Sequence, residues 1–105
     1  MGAGDGSLNR RPRVVLPLSG DLDGVGAAAA HKQLLALDLG GGAQLVLDLK
    51  AVTFIDSTGV RLILIAREHA LRHGAGFVVV RGPEPVMRVL EEVGLVAQLD
   101  IVGAA

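Results

Sequence analysis

Apolar residues in this chain alternate between short solid runs and longer periodic stretches. Val14-Val15-Leu16-Pro17-Leu18 has strand character, and Pro17, which donates no backbone hydrogen bond, suits a sheet edge or a strand end. Ser19 to Gly24 predicts a loop. Residues 25–38, rich in Ala and Leu, predict a helix that Gly40-Gly41-Gly42 ends and turns. A second strand falls at 44–49, apolar apart from Asp48, and a second helix at 57–73, stopped by Gly74. Phe77-Val78-Val79-Val80 reads as a third strand buried on both faces. Pro83-Glu84-Pro85 opens a third helix, 85–93, because Pro is tolerated in a first turn. Gly94 stops it, and residues 98–102 make a last short strand. The order β-α-β-α-β-α-β predicts an α/β domain with a mainly parallel sheet. Residues 1–12, Gly-rich and then basic at Arg10 and Arg11, read as a loose leader before a domain at 13–105.

At about 100° per residue, Val60, Ile63, Leu64, Ala70 and Leu71 of the second helix fall on one side and are expected to face the sheet. Arg67 falls with them, its head snorkelling outward. Arg61, Glu68, His69 and Arg72 fall on the other side. Ile65 lands among these polar residues, either as a lone exposed side chain or as the apolar centre of a partner surface.

Composition narrows the function. At 105 residues, half of them apolar, the chain suffices for one domain with one core. Two Phe and no Tyr or Trp argue against base-stacking nucleic-acid binding, and a net charge of −1 gives no pull toward DNA or an anionic membrane. The absence of Cys removes disulfides, thiol catalysis and thiolate metal sites. No apolar run approaches the roughly 20 residues a spanning helix needs, and the first residues lack the apolar middle of a secretion signal, so a cytoplasmic protein is expected.

The chemistry concentrates at Asp56-Ser57-Thr58-Gly59, a strand-to-helix junction with two hydroxyls between a carboxylate and a glycine. A helix start offers unpaired N–H groups and a positive dipole end, which would hold a phosphate built on a hydroxyl. Asp, Ser and Thr also favour helix starts simply as caps. A serine hydrolase does not fit. Ile55 replaces the glycine that a nucleophile elbow needs two residues before the serine, and His69 lies about 18 Å further along the helix axis at 1.5 Å per residue. Gly24-Val25-Gly26-Ala27-Ala28-Ala29 matches a dinucleotide fingerprint, with Asp48 as its ribose acid. Against that match stand the long loop after the strand and the repulsion of a pyrophosphate by Asp21 and Asp23. His69 and His73 lack a visible third metal ligand.

Three blocks together resemble the STAS domain, the family of bacterial anti-sigma factor antagonists. They are Leu18-Ser19-Gly20-Asp21-Leu22-Asp23; Leu45-Val46-Leu47-Asp48-Leu49 followed by Val52-Thr53-Phe54-Ile55-Asp56-Ser57-Thr58-Gly59; and Pro85-Val86-Met87-Arg88-Val89-Leu90 with Val93-Gly94-Leu95. The resemblance covers about residues 13–102. It implies a single small α/β domain whose four- or five-stranded mixed, mainly parallel sheet packs against three to four helices. It also implies that Ser57 is phosphorylated by an anti-sigma factor that is itself a serine kinase, with Thr58 as secondary candidate. The unphosphorylated form would bind that kinase and free a sigma factor, and a serine phosphatase would reverse the mark. Such a protein is no enzyme, holds no cofactor or metal, and regulates transcription without touching nucleic acid. Its partner surface would comprise Asp21, Asp23, Asp56, Ser57, Thr58, Gly59, Arg61 and Ile65. A scaffold or accessory subunit of a signalling complex or transporter is the second reading, and a small nucleotide-binding protein the third. Three departures stand out: Arg61 replaces the small residue of many relatives, the family's first strand would fall in residues 5–10, and its C-terminal helix is cut short. A homodimer or larger assembly would cover the surface this leaves.

Overall fold

The computed structural model describes residues 11–103, so the expectations for residues 1–10 lie outside the described residues. The elements run β1 (Arg13–Leu22), α1 (Gly24–Leu35), β2 (Gln44–Ile55), α2 (Ser57–Arg72), β3 (Gly76–Val80), α3 (Glu84–Glu92), a 3-10 turn (Val96–Gln98) and β4 (Ile101–Val102). The strands form one sheet in the order β1-β2-β3-β4, and all three pairings are parallel. Within the described sheet β1 is an edge strand, which is where Pro17 is tolerated.

Leu16, Leu47 and Val79 are register partners across three strands, and with Leu45 and Leu49 they supply the sheet side of the core. Leu34 of α1, Ile63 of α2 and Leu90 of α3 close it, each fully buried. Burial of each such side chain stabilises the fold by roughly 1.5–3 kcal/mol. Strand alternation sends Val15, Val46 and Val78 to the opposite face, where Val15 stays half exposed while Val46 and Val78 are buried.

The structure lengthens the first two strands. Residues 19–22, expected in a loop, continue β1, and β2 runs six residues past Leu49 to Ile55. Leu22, Val52 and Ile55 are all buried, so the polar residues between them ride on a ladder anchored by core side chains. Two register shifts, at Pro17/Ser19 and Gly20/Asp21, take up extra residues in β2. Gly20 sits at the second shift with φ +71°, a left-handed conformation that glycine adopts without strain. The last strand shrinks to Ile101–Val102, because Val96–Gln98 wind into a 3-10 turn behind buried Leu95.

The inward face of α2 also differs from expectation. Gly59, Leu62, Ile63, Ala66 and Ala70 are buried, whereas Leu64 and Leu71 are 40% and 58% exposed. Small residues at 59, 66 and 70 let the helix lie close to the sheet, and this centres the contact on Leu62 and Ile63 rather than on Leu64 and Leu71.

Candidate functional site

Strands β1 and β2 end side by side, with Leu22 paired to Ile55. The next residue on each is an aspartate, Asp23 or Asp56, and each caps the helix that follows. Asp23 Oδ1 accepts from the Gly26 N–H at 3.0 Å, while Asp56 Oδ1 accepts from Thr58 N–H at 2.9 Å and Gly59 N–H at 3.2 Å. The glycine three residues after each aspartate is dictated by space. A Cβ on Gly26 would run into the Asp21 carbonyl oxygen. One on Gly59 would run into the Leu22 carbonyl and meet Ile55 Cγ1 at 2.7 Å. The two Asp-x-x-Gly segments are thus the same device used twice, seating both helices on the end of β1.

This brings Asp21, Asp23, Asp56, Ser57, Thr58 and Gly59 to one rim at the C-terminal ends of β1 and β2. Asp21 is exposed and accepts from Thr53 Oγ1 at 3.3 Å. Asp56 is partly buried, and Ser57 and Thr58 are exposed in the first turn of α2. A phosphate on either hydroxyl would meet the positive end of that helix without displacing core side chains.

Arg61 and Ile65 lie further along, on a groove of about 180 Å³ between α1 and α2. Ala28 and His31 line its α1 side, and Thr58, Arg61 and Ile65 its α2 side. Ile65 is therefore not an isolated outward side chain but part of an interhelical wall, 37% exposed. A second cavity continues the groove past His31 and Ile65 to Leu35, His69 and Arg72.

Two residues of this neighbourhood were not among the expected site residues. His31 opens onto the groove beside Thr58, since α1 and α2 pack together, which no spacing within either helix reveals. Phe54 is half exposed at the rim, opposite Asp21 in the ladder and beside Pro85 and Val89. Its signal was available: a large aromatic two residues before the helix cap, in a chain with only two.

Two of the three histidines, scattered in sequence, line the groove: His31 and His69. The His69 and His73 rings lie 4.5 Å apart, with His73 Nδ1 2.9 Å from the His69 carbonyl oxygen. Burial lowers the His69 pKa below the usual histidine value, and the nearby charges of His73, Arg72 and His31 lower it further. Among the described residues no three His, Asp or Glu side chains are arranged to hold a metal ion. Of the residues in the dinucleotide match, Gly24 follows β1 after Asp23 alone rather than after a long loop, and the acids have structural partners. Asp23 takes the Gly26 N–H, and Asp48 accepts from Lys50 N–H at 2.9 Å while pairing with Lys50 Nζ at 3.1 Å beside the β2 irregularity.

The comparisons with known proteins match this geometry. A family model described as the STAS domain matches residues 7–102. The solved structure of the anti-sigma factor antagonist SpoIIAA in its unphosphorylated form is similar at a TM-score of 0.72 and 22% identity, covering 92% of this chain and 84% of that one. A sulfate transporter family protein from Wolinella succinogenes is similar at a TM-score of 0.71 and 17% identity, covering 89% and 77%. At these identities both establish a shared fold. Among the described residues no helix is long and apolar enough to cross a membrane.

Proposed function

This chain belongs to the STAS domain family, and we propose that within it the protein is a non-enzymatic anti-sigma factor antagonist switched at Ser57. The unphosphorylated form binds an anti-sigma factor with serine kinase activity in the cytoplasm and so frees a sigma factor. Phosphorylation releases the complex, and a serine phosphatase resets it. Nucleotide and Mg²⁺ belong to the kinase.

The observation that carries this reading is the exposed Ser57 at the start of α2, with Asp56 capping that helix and Asp23 following the neighbouring strand. A phosphate adds about −1.5 to −2 charge there. The helix start tolerates it, so the fold persists, but a partner docked over the acidic rim must face the added charge. A few kcal/mol of repulsion and lost hydrogen bonding lowers affinity by orders of magnitude, since each 1.4 kcal/mol is about tenfold. Thr58 is the secondary acceptor. Intact-mass analysis of the protein from its native cells tests the switch. The expected result is a species heavier by one phosphate that disappears in Ser57→Ala, together with loss of kinase binding by the phosphorylated form.

The likeness to the transporter-family structure favours a second reading, a STAS subunit that binds its partner without a switch. Absence of the phosphorylated species under every growth condition selects that reading.

A further inference from the structure

We propose that the groove between α1 and α2 seats an acidic amphipathic helix of the partner protein, with Arg61 contacting its carboxylates. The groove rests on the reading above in taking the Ser57 end of the molecule as a partner-binding face, and Arg61's part in release rests on its switch at Ser57. The two cavities along the groove share His31 and Ile65, so they form one channel from Thr58 to Arg72. That stretch of α2 is roughly 21 Å long at 1.5 Å per residue, about four turns of an opposing helix. Its α1 wall is low because Ala27 and Ala28 carry only methyl groups, while Ile65 and the 59% exposed Leu35 offer apolar contact. A channel between two packed helices admits the side-chain ridge of a third.

Charge selects the occupant. Arg61 and Arg72 are the channel's permanent cations, and its single carboxylate, Glu68, already pairs with Arg72 at 3.3 Å, so Arg61 carries the uncompensated positive charge. Arg61 makes no ion pair among the described residues. An occupant with carboxylates flanking an apolar ridge complements this lining; a basic one is repelled by it.

The same residue couples the groove to the rim. Ser57 and Arg61 stand four apart on α2, the spacing at which helical side chains meet. A phosphate on Ser57 is a stronger ligand for a guanidinium than a carboxylate held by a partner, so it draws Arg61 toward the helix start and adds negative charge at the channel mouth. Arg61, the departure from the small residue of many relatives, thereby takes a role in release.

The full chain, isotope-labelled for amide NMR, is titrated with a synthetic helical peptide of about 16 residues, roughly 24 Å long. The peptide carries a leucine stripe flanked by glutamates; a counterpart carries lysines in their place. The expected result is saturable shifts around Ala28 and Ile65, with the glutamate peptide at least tenfold tighter. Arg61→Glu reverses that order, and Ala28→Trp, on an exposed helical position, removes both while the remaining spectrum is kept. Equal affinities, no saturable binding, shifts on another face, or self-association of the free chain through these residues overturns the proposal. If the Ser57-phosphorylated chain binds the glutamate peptide as tightly as the unmodified one, the switch falls and the groove stands. If neither form binds it while cells still phosphorylate Ser57, the groove falls and the switch stands.

Discussion

The carbonyl oxygen of Leu22, last residue of β1, occupies the space that a Cβ on Gly59 would need, and the same oxygen accepts from the Asp56 N–H at 3.4 Å. One backbone atom of a buried strand end therefore sets the height of the first turn of α2. Because Leu22 is itself 2% exposed, Ser57 is held by the core rather than by a free loop. A modification site that rides on so fixed a turn can change its charge without changing its place.

Gly59→Ala is expected to lower the unfolding free energy by about 1–3 kcal/mol, the usual cost of forcing extra volume into a packed contact. The neighbour in the way is backbone, which has little room to yield. Urea denaturation of the variant beside the native chain measures it, with Ser57→Ala as the exposed control. A midpoint equal to that of the control contradicts the account of Gly59.

Asp56→Ala removes the acceptor for two helix N–H groups and should cost about 0.5–2 kcal/mol, while Asp56→Asn keeps a capping oxygen and should lie within a few tenths of the native value. Thermal unfolding of both variants separates the cap from the charge. If Asn is as damaging as Ala, the carboxylate acts through its charge instead.

Ser57→Asp places a negative charge at an exposed helix start, so stability should change by no more than about 1 kcal/mol, in the favourable direction. The prediction is checked by denaturant titration at low salt, where the dipole interaction is least screened. A loss above about 2 kcal/mol would mean that the site does not tolerate charge and that a phosphate acts by unfolding.

His69 has a pKa lowered chiefly by burial, then by His73, Arg72 and His31, so the unfolded chain binds its proton more readily than the folded one. Its contribution to stability is fully present above the ordinary histidine value near 6.5 and is lost as pH falls from there through the lowered folded value. Denaturation midpoints measured at intervals below neutrality should decline more steeply for the native chain than for His69→Gln. Identical slopes would remove His69 from the acid response.

The ordering of elements was readable because each apolar run is bounded by a residue with a local backbone reason to stop. Gly74 and Gly94, with φ of +68° and +76°, end α2 and α3 at the expected places. Asp56 as a cap and Ser57 as the first helical residue were readable for the same reason, since capping is a property of four or five adjacent residues. The extents of β1 and β2 were not. Ser19-Gly20-Asp21 looks like a loop until β2 is beside it to accept the ladder, and the shifts at Pro17/Ser19 and Gly20/Asp21 exist only as a relation between two strands.

By itself, then, the sequence determined the alternation of strands and helices, the cap at Asp56 and Ser57 as the first helical residue, because these follow from local propensity and hydrogen bonding within one turn. Only the tertiary structure decided that Asp23 and Asp56 follow paired strand ends, that Gly59 rests on Leu22, and that Ile65 faces His31 across a groove. The turn of α2 toward Leu62 and away from Leu64 belongs with these. Periodicity defines a helix's apolar side only to within the width of a side chain. Which residues go inward is settled by how closely the neighbouring backbone approaches, and here that distance is set by a glycine and two alanines.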